Sequence, residues 1–512
     1  MRLVSLTLKN FRSYDEETKI HFDDLTALVG KNDAGKSTVL EALDLFFYDG
    51  KGTIRFDKAD LHVNPDGSMA SSFEIRAEFA DFPQELILDT SNPTSLAKEY
   101  LLNQNGLLEI SKEFSQGGSV KTALIAYHPT HAMCSDLMSL KNTELKKRIK
   151  DLNLQSDLTK NAEMRCAIRS YCMQENSDFT TIPIDIKKGD AVSIWENISK
   201  FLPVYCLFQA DRANTTSDSE IQDPLKAAVK RVMSTPEIQS QLENISQTVL
   251  CELHEVVHLT LEKLKEMAPE IAQDLAPQIP STESLKWTDV FKGIGIDDDR
   301  GIAINKRGSG VKRLILINFF RAEAERVKRE TNKSSIIYAI EEPETSQHTR
   351  NQEKLAEALI QLSLAENNQV IITTHSNAIV KKLKFSNLRL VDSSSDEKIR
   401  KVEPNVLAYP SLNEVNFLAF GTVTEEYHNE LYGYLHSKGL LTILKNSQKT
   451  RNYMDSRKKN DKGHPIHLSL YVRHQIHHPE NQLNPRYSSE DLCQSIDDMR
   501  RVAIEARTKT IS

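Results

Sequence analysis

The sequence predicts an α/β fold, a mixed sheet split by a long helical insertion and followed by a mostly helical C-terminal domain. Three observations lead there. Short apolar runs at residues 25–29, 336–340 and 370–374 have the length and β-branched content of strands buried on both faces. A glycine-bearing loop and an amphipathic segment, residues 38–47, follow the first run and complete a strand–loop–helix unit. About 300 residues then separate the first run from the second, and much of that interval is charged with a helical period.

Along the chain, residues 3–8 alternate, residues 10–14 turn, residues 19–22 are extended, and residues 72–79 alternate as a half-exposed antiparallel strand does. These form an N-terminal lobe, residues 1–132. Residues 133–200 read as a helical insertion. A buried strand returns at 202–208 with a polar loop after it, so residues 201–222 rejoin the first body. Residues 223–286 are rich in Leu, Val, Glu and Lys and read either as a helical arm or as two packed core helices. Residues 287–408 return to α/β as a C-terminal lobe. After Pro410 the chain turns polar and rich in His, Tyr and Asn, and residues 409–512 read as a mostly helical domain.

Composition narrows the class. The chain has 512 residues, with 65 Lys+Arg against 72 Asp+Glu and a formal net charge of −7. So mild an acidity excludes a protein that grips nucleic acid with its whole surface and leaves only local basic patches. No apolar run reaches the roughly 18 residues of a membrane helix. Residues 1–6 read as a strand and not as a signal peptide, so a cytoplasmic protein without a membrane partner is expected. Cys134, Cys166, Cys172, Cys206, Cys251 and Cys493 include no C-x-x-C pair, which argues against a disulfide framework and a Cys-based zinc site.

Four motifs carry chemistry. Gly30, Lys31, Asn32, Asp33, Ala34, Gly35, Lys36 and Ser37 match G-x-x-x-x-G-K-[ST], and Thr38 follows in the helix. The glycines let backbone N–H groups turn inward on a triphosphate, Lys36 reaches the outer phosphates, and the Ser37 hydroxyl can bind Mg²⁺. The helix start adds its positive dipole end, so ATP with Mg²⁺ is the expected ligand. In the second motif the strand at 336–340 ends in Glu341 and Glu342. One carboxylate, Glu341, takes the metal side, and Glu342 orients or deprotonates the attacking water. Third, the strand at 370–374 ends in His375, placed to hydrogen-bond a γ-phosphate. Fourth, Ser309 and Gly310 open a helix and offer N–H groups and a hydroxyl to a phosphate. The chain's own phosphates are taken by the first loop, so this second anion site is expected to face another subunit's nucleotide.

The order Gly30 to Ser37, Ser309-Gly310, Glu341-Glu342-Pro343, His375 resembles the ABC-type heads of the structural-maintenance, RecF and OLD ATPases. That resemblance implies two head lobes split by a long insertion, and ATP sandwiched between two subunits in a homodimer or higher oligomer. It also makes Asn10-Phe11-Arg12-Ser13-Tyr14 an early loop, with Arg12 near the phosphates. Two departures stand: the signature lacks the full Leu-Ser-Gly-Gly form, and the metal-side Asp is Glu341; both occur in the OLD-like branch. Gln209 and Asp60 are the two candidates for the glutamine loop.

The C-terminal segments 409–417, 425–433 and 473–481, taken with the head, are similar to the ATPases of the Septu anti-phage defence family, whose relatives also accompany some retrons. The resemblance implies a separate HNH nuclease as partner, docked on the C-terminal domain. Nucleic acid, retron RNA or DNA and a reverse transcriptase are further implied partners. Two other readings stay open. Arg473 and His478 resemble a HEPN ribonuclease motif, which would make the tail the effector, against a structural cluster that docks a partner. Lys312-Arg313, Lys328-Arg329 and Lys381-Lys382 would suit a RecF-type DNA-repair ATPase, although such charge pairs are commonly solvated faces.

Overall fold

The computed structural model describes residues 1–31, 34–83, 86–89, 92–174, 178–187, 191–209, 333–345, 347–392, 397–447, 449–457 and 462–511, with scattered positions between 235 and 331. Two compact units divide the chain, residues 1–210 with 323–512, and residues 211–322. The first holds every element named below.

The N-terminal lobe begins with β1 (Arg2–Lys9), β2 (Thr18–His21), β3 (Leu25–Val29) and α1 (Lys36–Tyr48). It continues through β4 (Ser72–Ala80), the short hairpin β5 (Leu86–Asp89) and β6 (Asn92–Thr94), then β7 (Leu108–Ser115) and β8 (Val120–Pro129). Helices α2 (Asn142–Asp151) and α3 (Asn161–Gln174), strand β9 (Phe179–Asp185) and α4 (Ala191–Phe201) follow. Strands β2-β1-β4-β7-β8-β9 form one antiparallel sheet.

This corrects the reading of residues 133–200 as a purely helical insertion. β9 sits inside it and pairs with β8 from Ala123–Asp185 to Pro129–Phe179. The physical reason is that β8 would otherwise present an open edge, while Thr180, Thr181, Ile182 and Ile184 favour a pleated surface. Pro183 is tolerated because β9 is itself the sheet edge.

The second sheet is built from β3, β10 (Val204–Phe208), β11 (Ile336–Glu341), β12 (Asn368–Thr373), β13 (Leu388–Val391) and β14 (Ile399–Lys401), with α5 (Thr349–Leu364) and the one-turn α6 (Asn377–Val380) between its later strands. Its order is β10-β11-β12-β3-β13-β14, all parallel except β14. β3 and β13 are buried throughout, and β11 and β12 along all but one position, as strands covered on both faces must be. Helix α1 joins the two sheets. Phe46 packs against Phe79 of β4 at 6.2 Å, and Phe47 stacks on Tyr205 of β10 at 5.3 Å. The Tyr205 hydroxyl donates to the Leu40 carbonyl at 2.6 Å.

The C-terminal domain comprises α7 (Leu412–Phe420), α8 (Glu425–Ser437), α9 (Leu441–Ser447), the hairpin β15 (Thr450–Tyr453) and β16 (His464–His467), α10 (Leu468–His477) and α11 (Ser489–Ile511). Its own core gathers Tyr427, Leu431, Leu435, Val472, Ile496 and Met499. Among the described residues, no helix is long and apolar enough to cross a membrane. The calls at Asn32, Asp33, Ser309 and Gly310, the polar loop after 209 and most of the stretch 223–320 lie outside the described residues.

A buried ion cluster fixes α3 to the antiparallel lobe. Glu99 accepts from Arg165 Nε at 3.0 Å and Nη2 at 3.1 Å, and from Arg169 Nη1 at 2.7 Å. Burial pushes the Glu99 carboxyl up, but the two guanidiniums outweigh it and hold the group below the ordinary glutamate range. Arg165 and Arg169 stand one turn apart on α3, so one carboxylate satisfies both. Glu99→Ala leaves two buried cations unpaired, and chemical denaturation should report a loss of about 3–5 kcal/mol, against little change for Lys160→Ala in its exposed pair.

Candidate functional site

Parallel strands end at one edge of a sheet, and the order β11-β12-β3 makes three of those ends neighbours. The loop after β3 begins at Gly30, whose φ of 155° lies in the glycine region. A Cβ there would stand 2.3 Å from the Val391 carbonyl oxygen of β13, so only glycine lets the loop leave between the strands. Gly35 caps α1 in the left-handed region at φ 93°, with no side-chain hydrogen bond to the first turn. The N–H groups of that turn are therefore not taken by a side-chain cap. The Tyr14 hydroxyl donates to the Gly35 carbonyl at 3.1 Å and braces the loop from outside. Lys36 folds back along the loop, with Nζ donating to the carbonyls of Gly30 at 3.1 Å and Lys31 at 2.5 Å.

The carboxylates predicted from sequence meet this loop from β11. Ser37 donates through Oγ to Glu341 Oε1. A hydroxyl and a carboxylate are hard oxygen donors, and their adjacency fits a Mg²⁺ ion. Glu342 points elsewhere because its backbone leaves the strand at φ 39°. Its amide donates to both the carbonyl and Oγ1 of Thr373, each at 3.1 Å. A non-glycine residue in this region carries strain, which neighbouring bonds must hold. The turn places Glu342 Oε1 3.3 Å from His375 Nε2.

His375 comes from β12, the strand between the other two. Burial and the nearby Lys36 ammonium pull its pKa below the usual histidine value, with Glu342 opposing, so the ring is neutral at pH 7. Its backbone amide donates to Glu344 Oε1 at 2.7 Å, and Thr374 Oγ1 donates to the same oxygen at 2.8 Å. Burial raises the Glu344 carboxyl, the bonds from His375 and Thr374 oppose, and Glu342 adds to the rise. Sequence reading assigned Glu344 no role. The signal was a third acid after Glu341-Glu342-Pro343, but its task depends on β12 lying alongside.

The early loop brings Arg12 to the side of α1. Its guanidinium pairs with Glu41 Oε2 at 2.5 Å and Asp60 Oδ1 at 2.9 Å. Glu41 follows Ser37 by about one turn of α1, so Arg12 lies beside the helix with its charge matched by two carboxylates. Gln209 Nε2 also donates to Glu41, at 3.4 Å. Both glutamine-loop candidates, Gln209 and Asp60, thus join one cluster around Glu41 and Arg12. In the tail, Arg473 lies over the Tyr432 ring at 4.5 Å, whereas His478 pairs with Glu480 at 3.1 Å. The two residues engage different partners.

The loop also touches the C-terminal domain. Lys31 Nζ sits 4.5 Å from the Phe420 ring centroid at the end of α7. Beyond His375, Asn377 Nδ2 donates to Asn413 Oδ1 at 3.2 Å, and Lys381 Nζ meets Glu430 of α8 at 3.0 Å.

The AAA ATPase domain family matches residues 1–380, a span that includes the glycine loop, both carboxylates and His375. No curated protein matches the chain. Among solved structures, the SMC head domain from Thermotoga maritima is 13% identical, covering 79% of this chain and 100% of that chain at a TM-score of 0.33. An Smc head bound to the C-terminal winged-helix domain of ScpA is 13% identical over 81% of this chain and 99% of that one, TM-score 0.36. An Smc head with an extended coiled coil, bound to the C-terminal domain of ScpA derived from Pyrococcus furiosus, is 14% identical over 81% and 98%, TM-score 0.33. The α/β assignment stands on the strand order and the family match.

Glu344→Ala removes the acceptor that holds the His375 backbone. Nucleotide turnover should fall on the order of 10²-fold, the cost of misplacing a reacting group by about 1 Å. Nucleotide affinity, measured by fluorescent-analogue titration, should stay near that of the parent.

Proposed function

The chain belongs to the AAA ATPase domain family, and from that premise we propose that it is the ATP-binding and ATP-hydrolysing subunit of an anti-phage defence complex. In this reading it senses or gates, and controls a partner HNH nuclease as its heads pair and separate. The observation that carries the enzymatic part is the meeting of Lys36, Ser37, Glu341, Glu342 and His375 at one sheet edge. The defence role rests on the order of the C-terminal segments after a complete head, and on the want of an HNH pattern in the chain's own tail.

The residues divide the work as follows. The loop from Gly30 to Ser37 receives the phosphates of ATP on its backbone N–H groups, and Lys36 moves from the Gly30 and Lys31 carbonyls to the outer phosphates. Ser37 and Glu341 would hold Mg²⁺, which would offset phosphate charge when bound. Glu342 orients the attacking water and takes its proton. His375, kept neutral, hydrogen-bonds the terminal phosphate and registers its loss. Ser309 and Gly310 of a second subunit complete the site, so ATP favours the paired heads. ATP shifts that equilibrium only by its differential affinity for the two states.

Contacts between the loop and the C-terminal domain support a gating role. Lys31 on Phe420 and Lys381 on Glu430 tie the residues flanking the phosphate site to α7 and α8. A partner docked on that domain is thereby linked to whether ATP is present. The Arg473 and His478 contacts favour docking over ribonuclease chemistry in the tail.

Two substitutions separate binding from turnover. Lys36→Ala should weaken ATP binding by about 2–5 kcal/mol, the cost of truncating one member of a buried charge pair. Glu342→Gln should keep ATP affinity, slow hydrolysis about 10²–10⁴-fold, and accumulate the paired form in light scattering. Normal hydrolysis by Glu342→Gln overturns the assignment of roles. The purified chain alone, loaded with ATP and Mg²⁺, should leave DNA and RNA intact. RNA cleavage that disappears in Arg473→Ala/His478→Ala would make the tail the effector instead.

A further inference from the structure

A second group of donor side chains gathers where β8 ends. His131 and Cys134 lie in the loop after β8, and Cys172 lies near the end of α3. Their ligand atoms all fall within 4.8 Å of one another. Both cysteines are completely buried, and His131 is partly open to solvent. We propose that His131, Cys134 and Cys172 bind one zinc ion, with a water on the His131 side completing the tetrahedron.

The loop has the form such a site needs. The amides of Cys134 and Ser135 both donate to the His131 carbonyl, at 2.8 and 3.0 Å. That turn brings residues three apart onto one side, the spacing at which zinc knuckles place their ligands. The Met133 amide donates to His131 Nδ1 at 3.2 Å, which holds the ring beside the loop, and this bond is given up where Nδ1 becomes the ligand atom. Arg148 Nη1 donates to the Met133 carbonyl at 2.9 Å and to Asp136 at 2.5 Å, which pins the loop to α2. Zinc bonds of about 2.3 Å to sulfur and 2.0–2.1 Å to imidazole set tetrahedral ligand atoms roughly 3.5–4 Å apart. The three donors therefore need only a small contraction.

The charge also fits. Two thiolates neutralise one Zn²⁺, and a sulfur-rich set with one imidazole selects zinc over Mg²⁺. On binding, each thiol releases its proton to solvent as its sulfur–zinc bond forms, and nothing is oxidised. The competing account is that both thiols merely fill the small core of Leu137, Leu145, Ile149, Met164 and Ile168. Among the described residues, that account leaves His131 only the turn bond from the Met133 amide.

The missing C-x-x-C spacing hid this cluster. Its third donor arrives on α3, from beyond α2. An occupied site would tie the loop after β8 to α3 independently of the nucleotide.

The test uses the full chain, purified reduced and without chelator. Elemental analysis should find zinc in one-to-one ratio with the chain, and Cys134→Ser/Cys172→Ser should lose it. Cys166→Ser, exposed on the same helix, should retain it. Cobalt(II) exchanged into the parent chain should give a thiolate-to-cobalt charge-transfer band, with about half the intensity in Cys134→Ser. The cobalt spectrum of the parent decides the matter even where a variant fails to fold. A parent chain without zinc and without that band, or one in which Cys134 and Cys172 are found disulfide-linked after reduced purification, overturns the proposal.

Discussion

The parallel pairing of β12 with β3 on one side and β11 on the other is the constraint on which the nucleotide site depends. Register sets which residues reach the sheet edge together, and a slip of one position would turn every side chain to the opposite face. Glu341 pairs with Thr373 across the strands, and the Thr374 amide still bonds the Leu28 carbonyl of β3. His375 is therefore delivered between the glycine loop and the two carboxylates. The five-residue apolar run of β3 and the runs of β11 and β12 serve this end by being buried, which leaves them one way to stack.

Where the strands stop, polar bonds take over from burial. Glu342 sits in a strained conformation that two bonds from its amide to Thr373 hold in place. Glu344 holds the next piece by accepting from Thr374 and from the His375 backbone. Neither residue would keep its position as an isolated strand end, since each relies on the neighbouring strand for its partner. Strain that the surroundings hold in this way is common where geometry must be set before a substrate arrives.

The same edge is where the C-terminal domain makes contact. A cation over an aromatic ring, such as Lys31 on Phe420, contributes about 0.5–1 kcal/mol at an exposed site. The Lys381–Glu430 pair adds a partner whose carboxylate is almost wholly buried. Contacts of this size are small beside the core of either part. They tie the residues that flank the phosphate loop to α7 and α8.

Much of the head was legible in the sequence because its signals are local. The spacing from Gly30 to Ser37 needs only a few residues to show a phosphate loop, and residues 336–342 and 370–375 show strands that end in polar groups. What escaped was set by distance along the chain. β9 was read as part of a helical stretch because its alternation is shallow and its pairing with β8 is not written in its own residues. The pairing of Arg12 with Glu41 and Asp60 joins three segments and is not written in the early loop alone. The positioning role of Glu344 and the cluster of His131, Cys134 and Cys172 likewise exist only once strands and helices pack. The sequence by itself determined the α/β class, the glycine loop and the strand ends that carry Glu341, Glu342 and His375, because period and spacing are properties of neighbours in the chain. The tertiary structure alone decided which of those groups meet, because register and packing join residues hundreds of positions apart.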